Sequence, residues 1–351
     1  MKILKAYKDE SLRPPLPYTG DCPLLRELHR LYDVTEITLP LDYTEEEYAN
    51  IIRDYDVLLT MWYSPHIPNE LAQNPGKLKY ICNISGSVKG YIDKEIIESP
   101  YLTVTNWGDA SSYSVAEGAV SLLMTMLKDI PLFISHARDN KPRPDYDVRR
   151  VGTLYKTKVG IYGMGFIGRK FVEYIRAFMP DIYAFDPYVD DMPDGVTKVN
   201  SLEELFSISQ VVAIHAGLND QTKGTVTKEL LAMLPDGAVL INTARGAIID
   251  EKALIDEVIS GRIRAGLDVM IRHLDENDPE PDTEDMPALN DPVRMVDNAV
   301  FTGHTISHSE WSNDPEKLDF PALNCLENLA RFQKGEPLKF VIDIDRYNKI
   351  T

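Results

Sequence analysis

The chain has 351 residues, 44% apolar and 26% charged, a globular composition whose length calls for two domains of ~100–200 residues with a cleft between them. Thirty-seven Lys and Arg against 55 Asp and Glu leave a formal charge of −18. That field repels nucleic acid and anionic membrane surfaces and points to a small-molecule partner, itself an anion wherever a local Arg acts within the ~8–10 Å Debye length.

From the amino end, Met1 to Tyr7 mixes apolar residues with charge and lacks the apolar core of a signal peptide, and no later run approaches the ~20 apolar residues of a membrane span. Cys22, Cys82 and Cys325, odd in number and far apart, fit neither a disulfide framework nor a zinc cluster. A cytoplasmic protein with reduced cysteines and no metal is expected.

Apolar runs at Val57-Leu58-Leu59 and Lys79-Tyr80-Ile81-Cys82 alternate with helical periodicity, as in Glu45 to Asp54, which predicts a parallel-sheet domain. One long helix is expected from Ser114 to Ala137, and the polar, Pro-containing stretch Arg138 to Arg150 is the candidate crossing between domains. Five strand-like runs follow, Lys158–Tyr162, Ile182–Phe185, Val211–Ile214, Ala238–Ile241 and Arg264–Leu267, separated by helical segments; they predict a doubly wound sheet. The acidic, Pro-rich segment from Ile271 to Asp297 reads as a long loop, and Phe320 to Lys334 as a helix stopped by Gly335.

Gly163-Met164-Gly165-Phe166-Ile167-Gly168 follows the first strand of this second series and opens a helical run. A second strand then ends in Asp186, eighteen residues beyond Gly168. Strand, turn, helix and acid together make a dinucleotide-binding turn: Gly163 permits the tight bend, Gly165 the approach of the pyrophosphate, and Gly168 close helix–strand packing. Asp186 would accept the adenosine ribose hydroxyls and repel a 2′-phosphate, favouring NAD over NADP.

Leu240-Ile241-Asn242-Thr243-Ala244-Arg245-Gly246, Gly266-Leu267-Asp268-Val269 and Phe301-Thr302-Gly303-His304 follow in order, and with them the chain resembles the D-2-hydroxyacid dehydrogenases, the group that includes phosphoglycerate dehydrogenase and hydroxypyruvate reductase. The resemblance runs over essentially the whole chain. It implies an α/β protein of two doubly wound parallel-sheet domains: a Rossmann-type NAD domain, 114–308, inserted into a smaller flavodoxin-like substrate domain, 1–113 plus 309–351, with the active site between them. The implied activity is NAD-dependent interconversion of a D-2-hydroxy acid and its 2-oxo acid, and a homodimer is implied through the helix that begins near Ser114. The alternative is an NAD(H)-sensing binding protein, since a corepressor shares this likeness.

Residue by residue, the resemblance makes Arg245 the fork that holds the substrate carboxylate and His304 the acid/base. Thr243, His215 and Asp268 fall at positions beside the cofactor, with Phe166 and Ile167 in the turn itself. Ser85, Gly86 and Ser87, in Asn83-Ile84-Ser85-Gly86-Ser87-Val88, match the substrate loop whose amides hold a carboxylate. Trp62 follows an earlier strand where a side chain would face substrate. The family's acid partner for the histidine stands five residues after the aspartate, which here is His273. Pro279-Glu280-Pro281 looks like the family's phrase displaced by an insertion, so Glu280 is the preferred acid, with Glu276 and His273 as alternatives. Gly303 and Ile306 replace the family's Pro and Ala around the histidine. No Arg/Lys cluster near the substrate loop announces a phosphate site, and the substrate itself is left open.

Overall fold

The computed structural model describes residues 1–8, 18–142, 152–271, 286–287, 291–306 and 316–349. In chain order these form β1 (Lys2–Tyr7), α1 (Pro23–Leu31), β2 (Asp33–Thr38), α2 (Glu45–Ile52), β3 (Val57–Thr60), β4 (Tyr80–Asn83), α3 (Lys94–Ile97), β5 (Thr103–Thr105), α4 (Ser112–Leu127), α5 (Ile130–Arg138), β6 (Lys158–Tyr162), α6 (Phe166–Ile175), β7 (Asp181–Phe185), β8 (Val196–Lys198), α7 (Leu202–Ile208), β9 (Val211–Ile214), α8 (Lys228–Met233), β10 (Ala238–Asn242), α9 (Glu251–Ile259), β11 (Ile263–Leu267), β12 (Ala299–Phe301), α10 (Phe320–Lys334) and α11 (Ile344–Lys349). The chain divides into two units, Met1–Ser111 with Ser309–Thr351, and the inserted Ser112–His308.

The first unit is built on a five-stranded parallel sheet in the order β2-β1-β3-β4-β5. Side chains alternate along each strand, so Leu4, Leu58 and Ile81 pack with Tyr48 and Ile52 of α2, while Ile3, Leu59 and Cys82 pack with Leu24 and Leu28 of α1 and Cys325 and Leu329 of α10. Thr44 starts α2 with a capping box, its Oγ1 accepting from Glu47 N (3.2 Å) while Glu47 Oε2 accepts from Thr44 N (2.8 Å). Asp319 caps α10 through Ala322 N (2.8 Å), and Gly335 closes it at φ 70°.

The second unit carries a seven-stranded parallel sheet, β12-β11-β10-β9-β6-β7-β8. Ile161, Ala213 and Ile241 face Leu123 of α4 and Phe171 of α6; Val212, Ile214 and Leu240 face Leu205 of α7, Leu231 of α8 and Leu254 of α9. Strand order reverses between β6 and β9, and in such sheets the crevice beyond the carboxyl ends of the reversal strands is where ligands bind.

Three expectations are corrected. The single helix from Ser114 to Ala137 is two, α4 and α5, bent by 63°. Asp129 takes a left-handed φ of 56°, and Pro131, in the first turn of α5, has no N–H to continue a ladder. The passage into the second unit falls at Ser111–Ser112 rather than in the polar stretch, because α4 buries Leu122, Leu123 and Met126 within the second unit; residues 143–150 of that stretch lie outside the described residues. The second sheet has seven strands instead of five, since β8 and β12, three residues each, are too short to show a period. Among the described residues no single helix is long and apolar enough to cross a membrane; α4 and α5 together would pass by length and composition, but α4 is mostly buried within its unit.

Candidate active site

The glycine turn sits at the carboxyl end of β6. Gly163 has φ 98°, and a Cβ there would lie 2.5 Å from Ala216 N, just past β9. At Gly168 a Cβ would lie 2.1 Å from Gly163 O. Backbone thus meets backbone on both sides, and no side chain fits. Gly165, by contrast, is the N-cap of α6 and has open space where a Cβ would stand. A helix N-terminus with its approach clear is a site for phosphate oxygens, and this cradle fits a dinucleotide.

Asp186, one residue beyond β7, is 9% exposed. Its Oδ2 accepts from Met164 N (2.8 Å) and its Oδ1 from Tyr188 N (2.8 Å), so the carboxylate is fixed against the turn with one lone pair on each oxygen left to take a hydroxyl. Arg169 brings a guanidinium to the same turn, held on Met164 O (3.2 Å) and Asp191 O (2.7 Å). Beyond Asp186 a cavity of about 390 Å³ opens between Tyr162, Phe185, Tyr188, Leu202 and Gln221, a size and lining suited to a flat ring. These aromatics were not singled out from the sequence; the signal was an aromatic at the end of each of two adjacent strands.

His215, just past β9, packs its ring on Phe171 (centroids 4.9 Å) and brings Nδ1 within 3.4 Å of Thr243 Oγ1. Burial pushes its pKa down to about 3, so the imidazole is neutral, and among the described residues its Nε2 has no partner. An orphaned buried donor or acceptor beside the turn is a second observation that fits a bound polar ligand.

Arg245 lies three residues past β10, Asp268 one past β11 and His304 three past β12; the three strands are neighbours, so all three residues leave the same sheet edge as the glycine turn. Buried Asn242 shapes the first of these turns. Its Oδ1 accepts from Ala244 N (3.0 Å), and its Nδ2 donates to Arg245 O (3.0 Å). Arg245 Nη1 donates to Ala244 O (2.6 Å). Asp268 braces the third turn: its carbonyl accepts from His304 N (2.5 Å), and its Oδ1 from Thr302 Oγ1 (2.5 Å) and Ile306 N (3.1 Å). Neither Asn242 nor Thr302 was picked out beforehand, because each acts through a neighbour's backbone or side chain.

The two departures around the histidine have physical reasons. Gly303 and His304 both have left-handed backbone, φ 55° and 54°, which a proline locked near −65° cannot take at position 303. A left-handed histidine costs of order 1 kcal/mol and is the kind of strain that functional turns hold. Ile306, larger than the expected alanine, fits because α4 has a glycine against it: a Cβ on Gly118 would lie 2.7 Å from Ile306 Cγ2. Glu280, Glu276 and His273 lie outside the described residues.

In the first unit, Asn83 and Tyr91 shape the loop after β4. Asn83 Nδ2 donates to Ser85 O (2.8 Å), Tyr91 Oη to Asn83 Oδ1 (2.7 Å), and the buried Ser85 hydroxyl joins them, 3.1 Å from Tyr91 Oη. The loop's carbonyls are engaged while, among the described residues, the amides of Gly86, Ser87 and Val88 meet no protein acceptor. Successive free amides suit a carboxylate. Trp62, two residues past β3, is 47% exposed.

The family model described as D-isomer specific 2-hydroxyacid dehydrogenase, NAD binding domain, matches residues 120–305. A hydroxypyruvate reductase of Thermotoga maritima is 30% identical over 285 residues, 80% of this chain and 88% of that one. A D-3-phosphoglycerate dehydrogenase of Methanocaldococcus jannaschii is 30% identical over 288 residues, 80% of this chain but 51% of its own length, so the chain spans about half of that relative. Among solved structures, a D-isomer specific 2-hydroxyacid dehydrogenase from Lactobacillus delbrueckii ssp. bulgaricus in its NAD-complexed form superposes with a TM-score of 0.75 at 20% identity, covering 98% of this chain and 100% of that one. An acyclic imino acid reductase in complex with NADPH and D-Arg reaches 0.71 at 24% identity, covering 97% and 100%.

Proposed function

The chain belongs to the D-isomer specific 2-hydroxyacid dehydrogenase family, NAD(P)-binding oxidoreductases, and from that premise we propose that it interconverts a D-2-hydroxy acid and its 2-oxo acid with NAD(H) in preference to NADP(H). The observation that carries this reading is the common sheet edge from which the glycine turn, Arg245, Asp268 and His304 all emerge.

The nicotinamide dinucleotide, when bound, supplies or accepts the hydride. Gly163, Gly165 and Gly168, with Phe166 and Ile167 opening α6, would hold its pyrophosphate, Asp186 its adenosine ribose, and His215, Thr243 and Asp268 Oδ2 its nicotinamide half. Arg245 would grip the carboxylate in two-point fashion and polarise the 2-oxo group. The Gly86–Val88 amides of the first unit would likewise take a carboxylate. His304 would give a proton to the carbonyl oxygen in reduction and take it from the hydroxyl in oxidation. Asp268 anchors that histidine on both sides through His304 N, Thr302 and Ile306, which fixes the turn.

A panel of 2-oxo acids assayed with NADH tests the reading. Turnover with at least one of them is expected, and tight NADH binding with negligible turnover on all would favour a nucleotide sensor instead. Glu280 is the acid proposed to pair with His304. On that basis Glu280→Gln should change the pH–rate profile of reduction. An unmoved profile for Glu280→Gln with a moved one for His273→Ala would give the position to His273.

A further inference from the structure

The loop after β4 rests on a residue that no motif singled out. Trp107, two past β5, donates its amide to Ser85 O (3.2 Å), and its neighbour Asn106 donates Nδ2 to Gly86 O (2.7 Å). A Cβ at position 86 would lie 2.7 Å from Trp107 Nε1 and 2.8 Å from Cε2 and Cζ2. The indole therefore lies against the Cα of Gly86 and makes that glycine necessary.

Trp107 is itself held from behind, its carbonyl accepting from Asn324 Nδ2 (2.7 Å), while Asn106 Oδ1 accepts from Arg346 Nη2 (2.9 Å). Trp62 meets Trp107 edge to face, with centroids 5.4 Å apart and planes at 88°. Trp62 is 47% exposed. Lys89, the only cation in segment 83–92, has its Nζ 5.7 Å from the Tyr347 ring centroid.

We propose that Trp62 and Trp107 are the specificity-determining wall for the substrate side chain, with Trp107 also positioning the carboxylate loop, and that the substrate class is a 2-oxo acid bearing a bulky apolar or aromatic side chain. This rests on the reading that the Gly86–Val88 amides hold the carboxylate. A group bound on those amides stands within a side chain's length of two indoles, which bury apolar surface favourably and offer a phosphate or hydroxyl group only the indole N–H as a donor.

The test is kcat/KM with NADH for phenylpyruvate, glyoxylate, hydroxypyruvate and its 3-phosphate, in wild type, Trp62→Ala, Trp107→Phe and Trp107→Ala. Wild type should prefer phenylpyruvate over hydroxypyruvate by about tenfold or more, and Trp62→Ala should lose about tenfold of that ratio, chiefly through KM for phenylpyruvate. Trp107→Ala should raise KM for every 2-oxo acid, since the loop loses its support, and Trp107→Phe should recover part of the loss. Thermal melting of each variant separates this from unfolding. A wild-type preference for hydroxypyruvate or its phosphate, or ratios unmoved by Trp62→Ala and Trp107→Phe, would overturn the inference and leave the dehydrogenase reading in place. No turnover with any of the panel would remove that reading and the inference with it.

Discussion

The glycines at the edge of the second sheet and the glycine in the loop after β4 are required for different reasons. At Gly163 and Gly168 the obstructing atoms are backbone, Ala216 N and Gly163 O, which cannot move without moving strands. At Gly86 the obstruction is one side chain, the Trp107 indole. A turn that admits no side chain at Gly163 or Gly168 suits a cofactor whose pyrophosphate is always the same. A loop position closed by one neighbouring side chain can be retuned by changing that neighbour, as suits the proposed role in discriminating among substrates.

The largest expected effect breaks the comparison most openly. Gly168→Ala drives a Cβ into backbone and should cost ~1–3 kcal/mol or more of stability together with NADH affinity. Gly86→Ala should cost less, and Gly86→Ala with Trp107→Ala should recover what Gly86→Ala alone loses. Urea unfolding of the variants checks both. If Gly86→Ala is as costly as Gly168→Ala and the double change brings no relief, the distinction fails.

His215 sharpens it from the second unit's side. The folded chain keeps this imidazole neutral down to about pH 3, whereas the unfolded chain protonates it near the ordinary 6.5. The unfolded state therefore binds the extra proton between these values. Stability from this residue is complete above ~6.5 and falls by ~1.4 kcal/mol per unit as pH drops below it, about 2 kcal/mol by pH 5. His215→Asn should lack that share of the acid loss. Urea midpoints of the two proteins at pH 7 and pH 5 measure the difference, and parallel losses would contradict it.

A smaller effect concerns charge at the same edge. On the proposed reading Asp186 would face a 2′-phosphate; Asp186→Ser would remove that carboxylate and leave Arg169 beside the turn, so the proposed NADH over NADPH preference should shrink by ~1–3 kcal/mol. Comparing kcat/KM for the two cofactors tests this, and a wild type that prefers NADPH would rule out the assignment.

What could be read from the chain follows the same division. Gly163 to Gly168 and Asp186 stand out because backbone and strand-end requirements act over a few neighbouring residues, while Arg245 and His304 stand out through the motifs that carry the family resemblance. Sheet strands such as Val211–Ile214, buried on both faces, announce themselves as unbroken apolar runs. Trp107 was missed because its effect on Gly86 crosses from β5 to β4, a contact that only strand order creates. β1 was obscured by Lys5, whose Nζ is buried against the Tyr7 hydroxyl (2.5 Å) and the Tyr18 carbonyl, so a charge sits where an apolar residue is expected. The break between α4 and α5 went unread because apolar residues continue through it while Asp129 turns left-handed.

The central claim is that Arg245 acts on the substrate and not on the cofactor or the fold. Arg245→Lys keeps the charge and gives up the two-point grip. Steady-state reduction of the best 2-oxo acid together with NADH binding followed by fluorescence measures both sides of that claim. The account predicts kcat/KM lowered by about a hundredfold or more, as losing ~3 kcal/mol of charge-assisted hydrogen bonding would produce, with NADH affinity unchanged. An equal loss of NADH affinity, or full activity with lysine in place, would contradict it.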